Sequence, residues 1–517
     1  MIPASAPETA SATTSAVPLT SRETKVDRIR RLLGTWLALP LLVVVLLVPT
    51  NLSTEQQSLL AVLALVILLW LTEALPIPVT ALLGVSLLVV LGVAPAAEVF
   101  GAFGSTTVFL VIGAFLIARA MTVHGLDRRF ALSVLSLPGV GYSTYRTALA
   151  FGAVALVISG FISSSATAAM LLPIGIGIAN TVGKIIQEAH PEKTISELRF
   201  SCLVMLSIAY GASVGGLLTP VSGPANLIGR GLIEQQTGTT INFVDWMLIS
   251  VPYIVVMGAI MAVVLCLMNR PEVRHIPGGQ ELFREQRRSL GRMSFAEGVV
   301  ITIFGTVVLL WIAPSLVDFL PSPPEWVTQL SDHLNEGALP VIGAALLFCI
   351  PARRGGREPV LSWPDAVKID WGTVLLVGAG LTLGSMMTET ELATTLGTGL
   401  ANATGVSTTF ALTTLAVVFG LIVSETVSNT ASVGILLPII IPIAAAANID
   451  PMVPAMAGII AASSGAMLPI STPPNAIVYG SGMVPISRMV RTGVICDLIS
   501  IVLIIGVAMT IMSMVFS

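Results

Sequence analysis

Apolar runs of roughly 20 residues, the length that crosses a bilayer, recur along almost the whole chain and are divided by short polar or basic stretches. Nine of these runs predict plain membrane helices, at 32–48, 57–74, 78–94, 106–124, 246–268, 295–316, 336–351, 371–388 and 492–515. Four regions break the pattern with polar, Gly or Pro residues at their middle. Two of them, 145–181 and 409–447, read as hairpins that enter and leave on one side; the other two, 201–231 and 454–484, read as interrupted spans. The expectation is an all-α integral membrane protein with eleven crossings and two re-entrant hairpins. Residues 1–21 are rich in Ala, Ser, Thr and Pro and read as disordered, opening a basic tail over 1–31. The first apolar run is too long for a signal peptide, and no small-residue cleavage site follows it.

The interruptions come in pairs. Ser159 answers to Ser424, the triplet Ser163-Ser164-Ser165 to Ser428-Asn429-Thr430, Leu171-Leu172-Pro173 to Leu436-Leu437-Pro438, and Gly113-Ala114 to Gly378-Ala379, all 265 positions apart. At an offset of 249, Pro220 to Asn226 answers to Pro469 to Asn475. Five crossings separate equivalent elements, so the second copy is expected upside down relative to the first. Inverted repeats with interrupted helices near the midplane point to a secondary transporter. The repeats are assigned to 32–268 and 295–517, joined by a basic cytoplasmic linker at 269–294.

Composition agrees with that class: 55% of residues are apolar and 10% charged, against roughly 25% charged in soluble proteins. The net charge of −3 matters less than its placement. With the N-terminus inside, the expected cytoplasmic segments hold 23 of the 25 Lys and Arg residues, while the outer stretch 316–335 holds none. This bias follows the positive-inside rule, puts the C-terminus outside, and requires each hairpin to return to its own side. Cys202, Cys266, Cys349 and Cys496 lie in or beside apolar runs without CxxC spacing and read as small hydrophobes. His124, His190, His275 and His333 stand singly, so they predict no metal site.

A helix cannot turn three successive side chains toward one partner, so a consecutive polar triplet at membrane depth demands a local turn. Irregular backbone survives there only when buried in protein or lining a cavity. Such a tip offers carbonyls from its incoming helix, which suit a hard cation, and free N–H groups from its outgoing helix, which suit a carboxylate. Pro473-Pro474 likewise stop a helix, and Thr472 and Asn475 bring a hydroxyl and an amide to the gap. The four stretches are expected to converge on one site. No Lys or Arg lies at either tip, so an anion would be held by amides, hydroxyls and helix dipoles. Scattered hydroxyls such as Ser213 and Thr382 read as structural, and Arg119 as a structural residue at the inner end of its span. Two roles fit Glu425, three residues before the second triplet: a hydrogen-bonded tie for the hairpin, or a proton site.

With Ser428-Asn429-Thr430, the preceding Ser424-Glu425 and the stretch Thr472-Pro473-Pro474-Asn475, the chain resembles the divalent anion/sodium symporter family, the dicarboxylate and citrate carriers, from about residue 30 to the end. The resemblance implies a homodimer in the plasma membrane. Each subunit would have a scaffold half and an elevator-like transport half containing 145–231 and 409–484. It implies a substrate site of Ser163, Ser164, Ser165, Gly223, Ser428, Asn429, Thr430, Thr472 and Pro473. It implies one Na⁺ at Ser159, Ser163, Ser164 and Ser222, and another at Ser424, Val427, Ser428, Asn429 and Ser471. The first tip departs from the family pattern: it reads Ser-Ser-Ser where Ser-Asn-Thr is usual, and Ser222 stands where glycine is common. The missing amide would weaken a carboxylate contact, alter the first sodium site, or select another anion.

The reading is Na⁺-coupled symport of a C4-dicarboxylate such as succinate, malate or fumarate. The alternatives are a Na⁺-independent exchanger or a carrier of sulfate or another small anion. An intramembrane enzyme would need a catalytic pair such as HExxH or GxGD, which the sequence lacks, and an open channel does not fit inverted repeats around a closed polar site. No nucleic-acid partner is expected.

Overall fold

The computed structural model describes residues 25–189, 198–318 and 324–516. Residues 1–24, which carry most of the expected tail, and His190 and Lys193 lie outside the described residues. Among the described residues the elements are helices, with two isolated β-bridges, Ser143 with His275 and Pro351 with Pro359. Ten helices among the described residues are long and apolar enough to cross a membrane. Three of these are hairpin limbs: Ser164–Lys184, Thr409–Thr426 and Asn429–Ala446. Two expected spans are shorter helices, Ile77–Val90 and Ala338–Cys349, and the two interrupted spans are each split between helices.

The first helix runs Lys25–Leu47, so Arg28, Arg30 and Arg31 belong to its first turns. Arg30 anchors this end through Glu73, 2.8 Å away at the C-cap of Thr54–Thr72. The outer side of the first helix carries bare apolar side chains, among them Trp36, Leu39 and Leu47.

Packing repeats between the copies. The first limb of each hairpin lies against the first helix of the following interrupted span: Thr144–Ser159 on Arg199–Gly215, and Thr409–Thr426 on Met452–Ala462. The two copies also interlock, since Pro224–Thr237 packs on Asn429–Ala446 while Pro473–Gly480 packs on Ser164–Ala189. This exchange brings both tips and both interruptions to one place.

Among the helices that were not anticipated, two form a pair. Leu126–Leu135 and Leu392–Thr404 follow the cross-spans Thr106–Val123 and Trp371–Glu389 at matching places in the two copies. Both are short and amphipathic, so a search for membrane-length runs passes over them. Arg129 fixes the first by pairing with Glu297 at 2.8 Å and donating to the carbonyls of Leu290 and Gly291. The linker also folds: Gly279–Ser289 is a helix whose Gln280 receives the Gly141 N–H and donates to the Ser136 carbonyl, while Phe283 is buried against Phe151.

Candidate functional site

Each tip is built by a serine that caps the outgoing helix. In the second hairpin only Val427 and Ser428 are extended, and the Ser428 hydroxyl accepts the Ala431 N–H at 3.4 Å. In the first, Gly160 to Ser163 lie outside the helices, and the Ser163 hydroxyl accepts the Ala166 N–H at 3.2 Å. Only the first residue of each polar triplet, the capping serine, therefore lies in the turn. Ser164, Ser165, Asn429 and Thr430 belong to the first turns of their helices. The first-turn N–H groups of a helix lack intrahelical acceptors and sit at its positive end. Two such ends face one cavity of about 490 Å³ lined by Ser163, Ser164, Ser165, Ser428, Asn429 and Thr430.

The interrupted spans complete its wall. Gly223 is extended and precedes Pro224 at the first position of Pro224–Thr237; Thr472 is extended, caps Pro473–Gly480 and accepts the Asn475 N–H at 3.4 Å. Proline suits that position because it needs no donor and its φ is already helical. Gly223, Ser222, Asn226 and Pro473 line the cavity. Thr472 is buried beside it, with its hydroxyl 3.1 Å from that of Ser213. Ser213 itself lines the cavity and was missed in the sequence, where an isolated serine in a helix carries no signal of its own.

Irregular backbone at this depth is satisfied by neighbours, and the two copies do it differently. In the first, the hydroxyl of Ser222 lies 2.6 Å from the Gly216 carbonyl and 2.7 Å from that of Thr219, and the Asn226 amide donates to both. Trp246 and Ser250 donate to the carbonyls of Leu217 and Leu218. Two neutral links hold the first hairpin to this span: Ser159 Oγ donates to the Ala212 carbonyl and Thr219 Oγ1 to the Gly160 carbonyl, both at 2.6 Å.

In the second copy the tie is a carboxylate. Glu425, which stands where the first copy has Gly160, is buried and receives the N–H groups of Met467 and Leu468 at 3.0 Å and the Ser471 hydroxyl at 2.5 Å. Asp497 of the last helix, also buried, receives the Ala466 N–H at 3.0 Å. A Cβ on Gly465 would sit 2.8 Å from both Glu425 Oε1 and Ser424 Oγ, so only glycine lets the loop approach this closely. Ser424 Oγ in turn lies 3.5 Å from Asn429 Oδ1. The structure thus groups Ser424, Asn429 and Ser471 around Glu425, and gives Glu425 the hydrogen bonds of a tie. Ser159, Ser424, Val427 and Ser471 are all buried and do not line the cavity.

At the far end of the cavity stand Arg119 and Lys368. Both turn to Asp365: Lys368 Nζ at 3.0 Å, and Arg119 through the Asp365 carbonyl at 3.3 Å and its carboxylate at 3.6 Å. The Lys368 ammonium and the Ser362 hydroxyl hold the Asp365 carboxyl below the usual carboxylate range. Among the described residues no other Lys or Arg lines this cavity, so the anion-binding chemistry of the tips rests on N–H groups and hydroxyls.

The family model described as the sodium:sulfate symporter transmembrane region matches residues 29–517. The chain belongs to this family. It is a multi-pass membrane transporter, as the resemblance at the two tips implied. A sodium-dependent dicarboxylate transporter, SdcS, of Staphylococcus saprophyticus is 32% identical over 488 residues, spanning 94% of this chain and 92% of that protein. The SdcS of Staphylococcus aureus strain N315 is also 32% identical, over 90% of this chain and 88% of its own length. Among solved structures, Neisseria gonorrhoeae MtrF, from a class of antimetabolite efflux pumps, shares the fold at 12% identity. Its TM-score is 0.50, with 90% of this chain and 96% of that one covered.

Proposed function

We propose that this symporter couples inward Na⁺ movement to uptake of a C4-dicarboxylate such as succinate, malate or fumarate by alternating access. One observation carries the reading: two serine-capped helix ends face a single cavity whose tips hold no cationic side chain. Two carboxylates placed against two positive helix ends suit a short dianion, and hydroxyl, carbonyl and amide oxygens behind them suit Na⁺. The similar SdcS proteins, named for sodium-dependent dicarboxylate transport, support the same substrate class.

In this reading Ser163, Ser164, Ser165, Gly223, Ser428, Asn429, Thr430, Thr472 and Pro473 hold the substrate. The second Na⁺ lies among Ser424, Val427, Ser428, Asn429 and Ser471, next to the Glu425 carboxylate. The first Na⁺ lies among Ser159, Ser163, Ser164 and Ser222, where the hydroxyls of Ser159 and Ser222 already serve backbone carbonyls. The cavity runs toward Lys368 and Asp370, so with the N-terminus inside and the C-terminus outside it faces the cytoplasm. The transport half, 145–231 with 409–484, moves as an elevator within a homodimer of the plasma membrane, and the chain catalyses no covalent chemistry. The smaller, hydroxyl-only first tip favours a second reading, sulfate as the anion. Uptake of labelled succinate into proteoliposomes, with sulfate, citrate and malate as competitors and with Na⁺ or K⁺ outside, tests both. Succinate uptake that ignores sodium removes symport, and competition by sulfate alone replaces the substrate.

A further inference from the structure

We infer that Ser463, at the end of Met452–Ala462, is a further substrate-contacting residue whose hydroxyl donates to a carboxylate oxygen of the bound dianion. The assignment rests on the proposed dicarboxylate reading of the cavity.

Ser463 is 5% exposed, lines the cavity between the tips, and its hydroxyl has no hydrogen-bond partner. Among the described residues the hydroxyls of Thr80, Thr167 and Thr413 share that state, but none of them lines this cavity. A serine in or just after an apolar helix satisfies its hydroxyl on a carbonyl one turn back, as Ser464 does with Ile460 at 2.6 Å, Ser207 with Leu203 at 2.7 Å and Ser432 with Ser428 at 3.0 Å. Ser463 has the same option at the same helix end and leaves it unused. A buried hydroxyl without a partner is unfavourable, so an oxygen acceptor supplied by a ligand is the natural completion.

The placement distinguishes an anion from a cation. Of the residues assigned to substrate alone, Ser165, Gly223, Thr430 and Pro473 line the cavity. Of the five assigned to sodium alone only Ser222 does so; Ser159, Ser424, Val427 and Ser471 are buried and do not line it. Ser463 keeps company with the first group. Its counterpart in the first copy, 249 positions earlier, is Val214, which has no hydroxyl to offer. The substrate is thus held more firmly from the second copy, on the opposite side to the tip that lacks an asparagine.

The test is Ser463→Ala in proteoliposomes and in detergent. A hydrogen bond from a neutral donor to a charged acceptor corresponds to about tenfold in affinity, so KM for succinate rises about tenfold while the half-saturating Na⁺ concentration stays within twofold. Because the hydroxyl holds nothing in the ligand-free protein, the variant unfolds no lower than the parent without substrate and is stabilised less by added succinate. Ser463→Thr keeps a donor and recovers part of the affinity. An unchanged succinate KM, a shift confined to Na⁺, or a lower unfolding temperature without substrate overturns the assignment. If the unaltered protein shows no sodium-stimulated succinate uptake, the dicarboxylate reading falls first; parental uptake with an unaffected Ser463→Ala removes Ser463 alone.

Discussion

Replacing Glu425 by glutamine keeps the size of the side chain and removes its charge. The carboxylate now accepts three hydrogen bonds, from Met467 N, Leu468 N and Ser471 Oγ. The amide has one oxygen, and its NH₂ must face a donor, so at least one buried N–H loses its acceptor. An orphaned buried donor costs about 1–3 kcal/mol, and each remaining bond falls from charge-assisted to neutral strength, about 1 kcal/mol less. The sum is about 3–5 kcal/mol. At roughly 2 °C per kcal/mol for a large domain, the unfolding temperature drops by at least about 6 °C. Ser471, released from its carboxylate, no longer presents its oxygen beside Ser424 and Asn429, so the half-saturating Na⁺ concentration for succinate uptake rises. Thermal unfolding by intrinsic fluorescence in detergent and sodium titration of uptake read the two effects separately. An unchanged unfolding temperature together with a superimposable sodium curve would show that Glu425 does not act as a charged tie.

Asn429→Ala is expected to abolish uptake while the protein still inserts and elutes as a folded species in size-exclusion chromatography; near-normal uptake would remove the second tip from the mechanism. Ser164→Asn with Ser165→Thr restores the asparagine to the first tip and is expected to tighten or broaden dicarboxylate use, read as a changed competition profile; unchanged selectivity and sodium dependence would make the serine tip neutral. Arg230 pairs with Glu234 at 2.8 Å and with Glu336 at 2.7 Å, and Glu336 also receives the Phe243 N–H. Arg230→Gln leaves Glu336 without its cation and is expected to destabilise by about 3–5 kcal/mol; adding Glu336→Gln should return part of the lost unfolding temperature.

The spans, the two hairpins and the two interruptions were legible because the bilayer imposes length and apolarity on every crossing. A departure from either stands out against that background. The pairing of Ser163 with Ser428 and of Asn226 with Asn475 was legible because a repeat displays itself, and both pairs serve equivalent structural roles. What escaped was whatever depends on contact across the copies. Ser213 meets Thr472 only because the interrupted spans lie side by side. The tie role of Glu425 depends on Met467 and Leu468, more than 40 positions away and themselves silent in the sequence. Leu126–Leu135 and Leu392–Thr404 escaped for a different reason: their length and polarity are those of ordinary connecting segments. The second tip also proved tighter than a run of three polar residues suggests, because one serine cap lets the helix restart at the next residue.

The most direct test of Na⁺-coupled symport is labelled succinate uptake by purified protein in liposomes under an inward sodium gradient. Na⁺-coupled symport predicts accumulation above equilibrium that collapses when external Na⁺ is replaced by K⁺ or when the gradient is dissipated with a sodium ionophore. Uptake at the same rate with K⁺ outside would contradict it.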